Sequence, residues 1–102
     1  MDYNKYARKI NPKTDIKPLV AHQANAELTR SHLSGCKVLA LGCWTGQYEQ
    51  LISEHCAMLV GLDMFLEPLR VVDKHAVGVE PVQGTVCQLP VASDSFDVVV
   101  SW

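Results

Sequence analysis

Apolar residues along this chain fall into two rhythms. Lys37-Val-Leu-Ala-Leu41, Ala57-Met-Leu-Val-Gly-Leu62 and Phe96-Asp-Val-Val-Val-Ser101 are short, nearly continuous apolar runs. Such runs suit strands covered on both sides rather than strands with one wet face. Between them, apolar positions recur every three or four residues. Val20, Ala24, Leu28 and the 31–32 region predict an amphipathic helix over 18–33, with Pro18 at its first position and Gly35 as its stop. Tyr48, Leu51, Ile52 and His55 share one face of a second predicted helix over 46–56. Pro68 opens a third, running to about His75, with Gly78 beyond it. Pro81-Val-Gln83 reads as a weak strand, and 84–95, with its Ser-Asp-Ser turn, as a loop.

The order is therefore helix, then β-α-β-α-β-loop-β. Alternating strands and helices imply right-handed crossovers and a parallel sheet with helices on both faces. Residues 1–17 form a basic arm and 18–102 the α/β domain. Val98-Val-Val100 at an open edge is an aggregation liability. The expectation is thus an N-terminal portion of a larger domain, truncated after its fourth strand.

Composition narrows the classes. The chain has 102 residues, 48% hydrophobic and 20% charged, which fits a globular chain and excludes collagen-like or wholly disordered ones. The longest apolar stretch, Cys56–Leu62, is far short of the roughly 20 residues a membrane span needs. A net charge of −2 leaves no field for a nucleic-acid backbone. Lys5, Arg8, Lys9, Lys13 and Lys17 cluster in the arm, which reads as a solvated segment. No secretory or transit signal is visible, so a cytoplasmic location is expected. Cys36, Cys43, Cys56 and Cys87 form no CxxC pair and read as free thiols. The scattered histidines offer no metal-ligand spacing.

The chemistry concentrates in Val38-Leu-Ala-Leu-Gly-Cys-Trp-Thr-Gly46, a strand that runs into a glycine turn and then a helix. Gly42 allows the tight turn and Gly46 the close approach. Backbone N–H groups at that helix start suit a ligand carboxylate or phosphate. Asp63 ends the second strand about 20 residues after Gly42, where an acid can accept from ribose hydroxyls. It stands equally well as a helix N-cap.

Three blocks in order resemble the class I S-adenosylmethionine-dependent methyltransferases of the small-molecule type. Val38–Gly46 is similar to that family's first motif, Val60-Gly-Leu-Asp63 to its ribose-binding block. Gln83–Val91 followed by Ser95–Ser101 is similar to the "GDAEELPFPDGSFDVVVS" region. The resemblance covers about residues 35–102 and implies a Rossmann-like sheet with S-adenosyl-L-methionine as cofactor. It implies cofactor contacts at Gly42, Gly46, Asp63, Met64, Thr85 and Val86, and a small-molecule methyl acceptor as partner. Acceptor-contacting residues in this family lie mostly beyond the fourth strand, and no catalytic residue is assigned. Nothing in the residues sets the oligomeric state.

Three positions depart from the family pattern. Ala40 replaces an acid inside the first strand, Trp44 the middle glycine, and Thr85 an aspartate that addresses the adenine amino group. Trp44 either fills the space of the methionine moiety, turns outward or stacks on the ligand. These changes support an alternative, a degenerate non-catalytic module for interaction or regulation. A dinucleotide-dependent oxidoreductase is the third reading, opposed by the absence of GxGxxG: position 44 is Trp and 47 is Gln. Tyr3 and Tyr6 read first as exposed or packed aromatics of the arm, with closure over the site as the lesser alternative. Asp97 is expected to pair or cap at the start of the fourth strand.

Overall fold

The computed structural model describes residues 10–11, 14–89 and 94–101. Tyr3, Tyr6 and most of the basic arm lie outside the described residues. The elements are α1 (Val20–Leu33), β1 (Lys37–Leu41), α2 (Glu49–Ile52) continued by a 3-10 turn (Ser53–His55), β2 (Met58–Asp63), α3 (Leu66–His75), β3 (Glu80–Gln83) and β4 (Val98–Ser101). The four strands form one parallel sheet in the order β3-β2-β1-β4. The strand runs legible in the sequence are the strands of the structure.

Helix starts differ from the predicted ones. α1 begins at Val20, so Pro18 precedes its cap rather than opening the helix. His22 supplies the start signal instead: its Nδ1 accepts the Leu19 N–H at 2.9 Å. Pro68 is the third residue of α3, another position where a missing N–H leaves no helical bond unmade. α2 is shorter than 46–56 because Gly46 has φ +78°, a left-handed conformation that no helical residue adopts. Gly35, at φ +71° after the last turn of α1, is the stop that the sequence indicates.

The buried face of α1 is also not the predicted one. Val20, Ala24 and Leu28 face outward, and Val20 is 82% exposed. Ala26 and Leu33 are buried, and Thr29 is half-buried beside Tyr48. Two stripes of this helix repeat every three or four residues, so periodicity alone does not choose between them. The smaller stripe lies inward because Ala26 and Thr29 let α2 approach. Thr29 donates its hydroxyl proton to the Asn25 carbonyl at 2.8 Å, so Tyr48 is the donor in the 2.6 Å contact between the two hydroxyls.

All three described helices pack on one face of the sheet, not both. Ala26, Leu33, Tyr48, Ile52, Leu69, Val72 and Ala76 share a single core with Val38, Ala40 and Leu59. Fully buried Ile52 and Val72 each contribute about 1.5–3 kcal/mol. β1, β2 and β3 step sideways in one direction, so crossovers of one hand place both connections on the same side. The opposite face buries Leu39, Val60 and Leu62 beneath Phe96, Val82, Leu41 and Met58.

One side-chain device ties the start of β4 to the start of β1. Asp97 Oδ2 accepts the Lys37 N–H at 2.9 Å while its own N–H donates to the Lys37 carbonyl at 2.8 Å, the pairing expected at that strand start. The arm, by contrast, is not free in solvent where it is described. Asp15 is buried, and its carbonyl accepts from the buried Thr45 hydroxyl. Gln50 and Gln47 donate to the Ile16 and Lys17 carbonyls at 2.8 and 2.9 Å. The segment 15–17 is thereby bonded to the start of α2.

Candidate functional site

The strand order reverses between β1 and β4, and in such sheets ligands lie outside the carboxyl ends of the strands. A cavity of about 310 Å³ opens there, lined by Gly42, Trp44, Leu62, Asp63, Met64, Phe65, Gly84, Thr85 and Val86. That volume is at the lower end for a small-molecule pocket, about 300–1,000 Å³. Five of the six residues singled out in the sequence come together around it: Gly42, Asp63, Met64, Thr85 and Val86. The sixth, Gly46, does not line it. A Cβ on Gly46 would meet Ala76 Cβ at 3.1 Å and Val72 Cγ2 at 3.3 Å, so its close approach is to α3 rather than to a ligand.

Asp63 organises this end of the sheet. It is buried, and each carboxylate oxygen accepts one backbone N–H: Oδ2 from Trp44 at 2.9 Å and Oδ1 from Phe65 at 3.0 Å. The cap of α3 is Phe65, so Asp63 is not the N-cap that was one of its two expected roles. Its bond two residues on is an Asx turn. A carboxylate offers about four lone-pair sites. Two of them remain for donors in the cavity, such as vicinal hydroxyls.

The loop after β1 is bound tightly to β2. Gly42 and Cys43 both donate to the Leu62 carbonyl, at 2.7 and 3.0 Å, and Gly46 donates to the Cys43 carbonyl. The N–H groups of Gly42, Cys43, Trp44 and Gly46 are thus all engaged internally. The expected cradle of N–H groups for an anion does not form from these four, and α2 has only four residues to sum into a dipole. Trp44 takes φ +52°, a left-handed backbone that costs a bulky L-residue about 1–2 kcal/mol. Trp44 lines the cavity, and its backbone follows the path a glycine would take. Ala40 lies in the helix-side core and lines no part of the cavity.

Leu62, Phe65 and Gly84 complete the cavity wall without having been singled out in the sequence. Phe65 and Gly84 sit beside residues that were, and the Gly84 N–H donates to the Asp63 carbonyl at 3.1 Å. A second, smaller cavity of about 180 Å³ lies between α1 and the glycine loop and shares Gly42 and Trp44 with the first. Glu49, also missed, lines it. Burial pushes the Glu49 carboxyl up to about 7; the bond from its own backbone N–H opposes this and the charge of Asp63 adds to it. Burial likewise pushes the Cys43 thiol far up, helped by Glu49 and Asp63, which leaves it protonated and unreactive. Among the described residues no group of His, Cys, Asp and Glu could hold a metal ion, and no helix is long and apolar enough to cross a membrane.

A parallel sheet with this strand order, an Asx-held glycine loop and a cavity over its strand ends define a Rossmann-like nucleoside-binding architecture. Residues 39–102 match the family model described as a methyltransferase domain. The chain belongs to the class I S-adenosylmethionine-dependent methyltransferase family. It is 34% identical over 77 residues to the ubiquinone biosynthesis O-methyltransferase of Pasteurella multocida, covering 66% of this chain and 29% of that one. The fold is similar to the PH0226 protein of Pyrococcus horikoshii, with a TM-score of 0.68 at 24% identity, over 93% of this chain and 49% of that one. It is also similar to an amino pentose methyltransferase of Micromonospora echinaspora solved with S-adenosylmethionine bound. There the TM-score is 0.65 at 19% identity, over 80% of this chain and 35% of that one. The chain thus spans less than a third of the curated relative and up to about half of these structures.

Proposed function

We propose that this chain is the cofactor-binding part of an S-adenosylmethionine-dependent methyltransferase acting on a small-molecule acceptor. One observation carries the reading: Asp63, with two lone-pair sites left, faces a largely apolar cavity whose other walls are Gly42, Met64, Phe65, Thr85 and Val86. An adenosyl group has the matching parts, a planar base and two vicinal hydroxyls. Met64, Phe65, Leu62 and Val86 would sandwich the base, and Thr85 would hydrogen-bond its edge more weakly than a carboxylate. Gly42, lacking a side chain, leaves the route past β1 open. When bound, S-adenosylmethionine supplies a methyl group already activated on a sulfonium sulfur. The chain's contribution is orientation and exclusion of water around that group.

The engaged N–H groups of the glycine loop count against a dinucleotide, whose pyrophosphate needs them. The left-handed Trp44 favours the second reading, a non-catalytic domain that has lost the cofactor. Calorimetric titration separates these readings. Binding of S-adenosylhomocysteine without binding of NADH supports the proposal, and no heat with S-adenosylhomocysteine supports the non-catalytic module.

A further inference from the structure

Two of the cysteines meet at the end of the sheet that the nucleoside cavity does not use. Cys36 directly precedes β1, and Cys56 lies just ahead of β2. The Cys36 carbonyl accepts the Ala57 N–H at 2.9 Å and the Met58 N–H at 3.4 Å, and the Gly35 N–H donates to the His55 carbonyl at 2.8 Å. The Ala57 N–H belongs to the peptide that joins it to Cys56, so the α-carbons of Cys36 and Cys56 flank one hydrogen bond. Adjacent strands lie about 4.7–4.9 Å apart. That falls inside the range of about 4.4–6.8 Å between α-carbons that a disulfide spans.

Facing is the second condition. Lys37 pairs with Met58, so Cys36 falls opposite Ala57 and Cys56 falls one step out of register. In a regular ladder that step would turn the two side chains to opposite faces. The pleat is broken here instead. The 3-10 turn Ser53–His55 ends at Cys56, and the Cys36 carbonyl takes two successive N–H groups. Both thiols therefore pack against the same helix-side core.

Both are half-buried, and their hydrogen bonds go to main-chain carbonyls. Cys36 Sγ donates to the His32 and Ser34 carbonyls, each at 3.7 Å, and Cys56 Sγ to the Ile52 carbonyl at 3.4 Å. Thiols are weak donors, so a change of χ1 gives up little. Burial pushes the Cys56 thiol up, and the charge of a nearby Cys36 thiolate adds to this. The other two cysteines lack such a partner arrangement. Cys43 is buried and held protonated in the glycine loop, and Cys87 is exposed on the loop after β3.

We propose that Cys36 and Cys56 are a dithiol–disulfide site, oxidised by a low-molecular-weight disulfide into a staple across the amino ends of β1 and β2. The Cys36 thiolate attacks one sulfur of the small disulfide, forming a mixed disulfide and releasing one small thiolate. The Cys56 thiolate then attacks the Cys36 sulfur and releases the second. The two cysteine protons pass to the two small thiolates. Two electrons pass from the cysteine pair to the small disulfide, which is reduced to two thiols. Cys36 attacks first because burial holds Cys56 as the thiol. The new bond closes the chain around the glycine loop and α2 and restricts the unfolded ensemble. This inference is independent of the adenosyl reading, since the pair lies at the opposite end of β1 and β2 from Gly42 and Asp63.

The test uses the full chain carrying Cys87→Ser, which removes the exposed competing thiol. The folded chain is incubated with excess glutathione disulfide, then analysed by intact mass, peptide mapping and thermal unfolding. The expected product is lighter by two hydrogens and carries one cross-link, between the peptides of Cys36 and Cys56. Dithiothreitol should reverse it. Its circular dichroism should match the reduced form, and its Tm should be higher by at least about 5 °C. Adding Cys36→Ala or Cys56→Ala should abolish both the cross-link and the rise in Tm. Where such a variant fails to fold, the peptide map of the parent decides alone. Glutathione adducts without the internal cross-link, two unreacted thiols, or a cross-link to Cys43 overturn the proposal. So does a Cys36–Cys56 bond that brings no rise in Tm, because that bond would not fit the native fold.

Discussion

Asp63 and Glu49 show how two acids a short distance apart in the fold take opposite roles. Asp63 is satisfied by two backbone N–H groups, so it is structural as well as available to a ligand. Asp63→Ala should strand both N–H groups and destabilise the chain by about 2–4 kcal/mol, counting about 1–2 for each lost partner. Asp63→Asn keeps an acceptor and should cost less than half of that in urea unfolding. Glu49 carries the reverse burden. Between about pH 4.5 and about 7 the folded chain holds a proton that the unfolded chain has released. Stability therefore falls as pH rises through that window and stays low above it. Glu49→Gln should abolish the slope and gain on the order of 3 kcal/mol above pH 7, read from urea midpoints across pH. Gly46 sits under a third constraint, φ +78° with Val72 and Ala76 against its α-carbon. Gly46→Ala should destabilise by about 1–3 kcal/mol through backbone strain and overpacking, without entering the ligand cavity.

Among the elements, the strands were the most legible. Val38–Leu41, Met58–Leu62 and Val98–Val100 are apolar because both faces or a face and an edge are covered, and no competing period exists in runs so short. Helices were legible in existence but not in orientation. In α1 the stripe with more apolar area, Val20, Ala24 and Leu28, faces out, because the inward stripe is chosen by fit to α2. The Thr29–Tyr48 hydroxyl contact expresses that fit, and no periodicity encodes it. Tyr48→Phe should leave the fold intact and cost about 0.5–1.5 kcal/mol in thermal or chemical unfolding. The start of α2 was misplaced because glycine's left-handed geometry at residue 46 depends on what lies behind it.

For the whole molecule, Gly42, Asp63 and Thr85, one from each of three separate blocks, meet at one end of the sheet because parallel strands deliver their carboxyl ends to the same side. This is why Gly42, Asp63, Met64, Thr85 and Val86 could be gathered from sequence alone. Glu49 could not, since a single acid beside Tyr48, Leu51 and Ile52 looks like the polar edge of an amphipathic turn until its burial is seen. The same applies to the arm: its charge suggested solvent, whereas Thr45, Gln47 and Gln50 bind its backbone, which charge does not report.

The most direct measurement is the ratio of S-adenosylhomocysteine dissociation constants between wild type and Asp63→Asn, each shown to be folded under the conditions used. The expected result is measurable wild-type binding weakened at least about tenfold by the substitution, corresponding to about 1.4 kcal/mol of lost ribose contact. Equal affinities for the two, or a wild type that takes up no nucleoside, would contradict the assignment of Asp63 as the group that grips it.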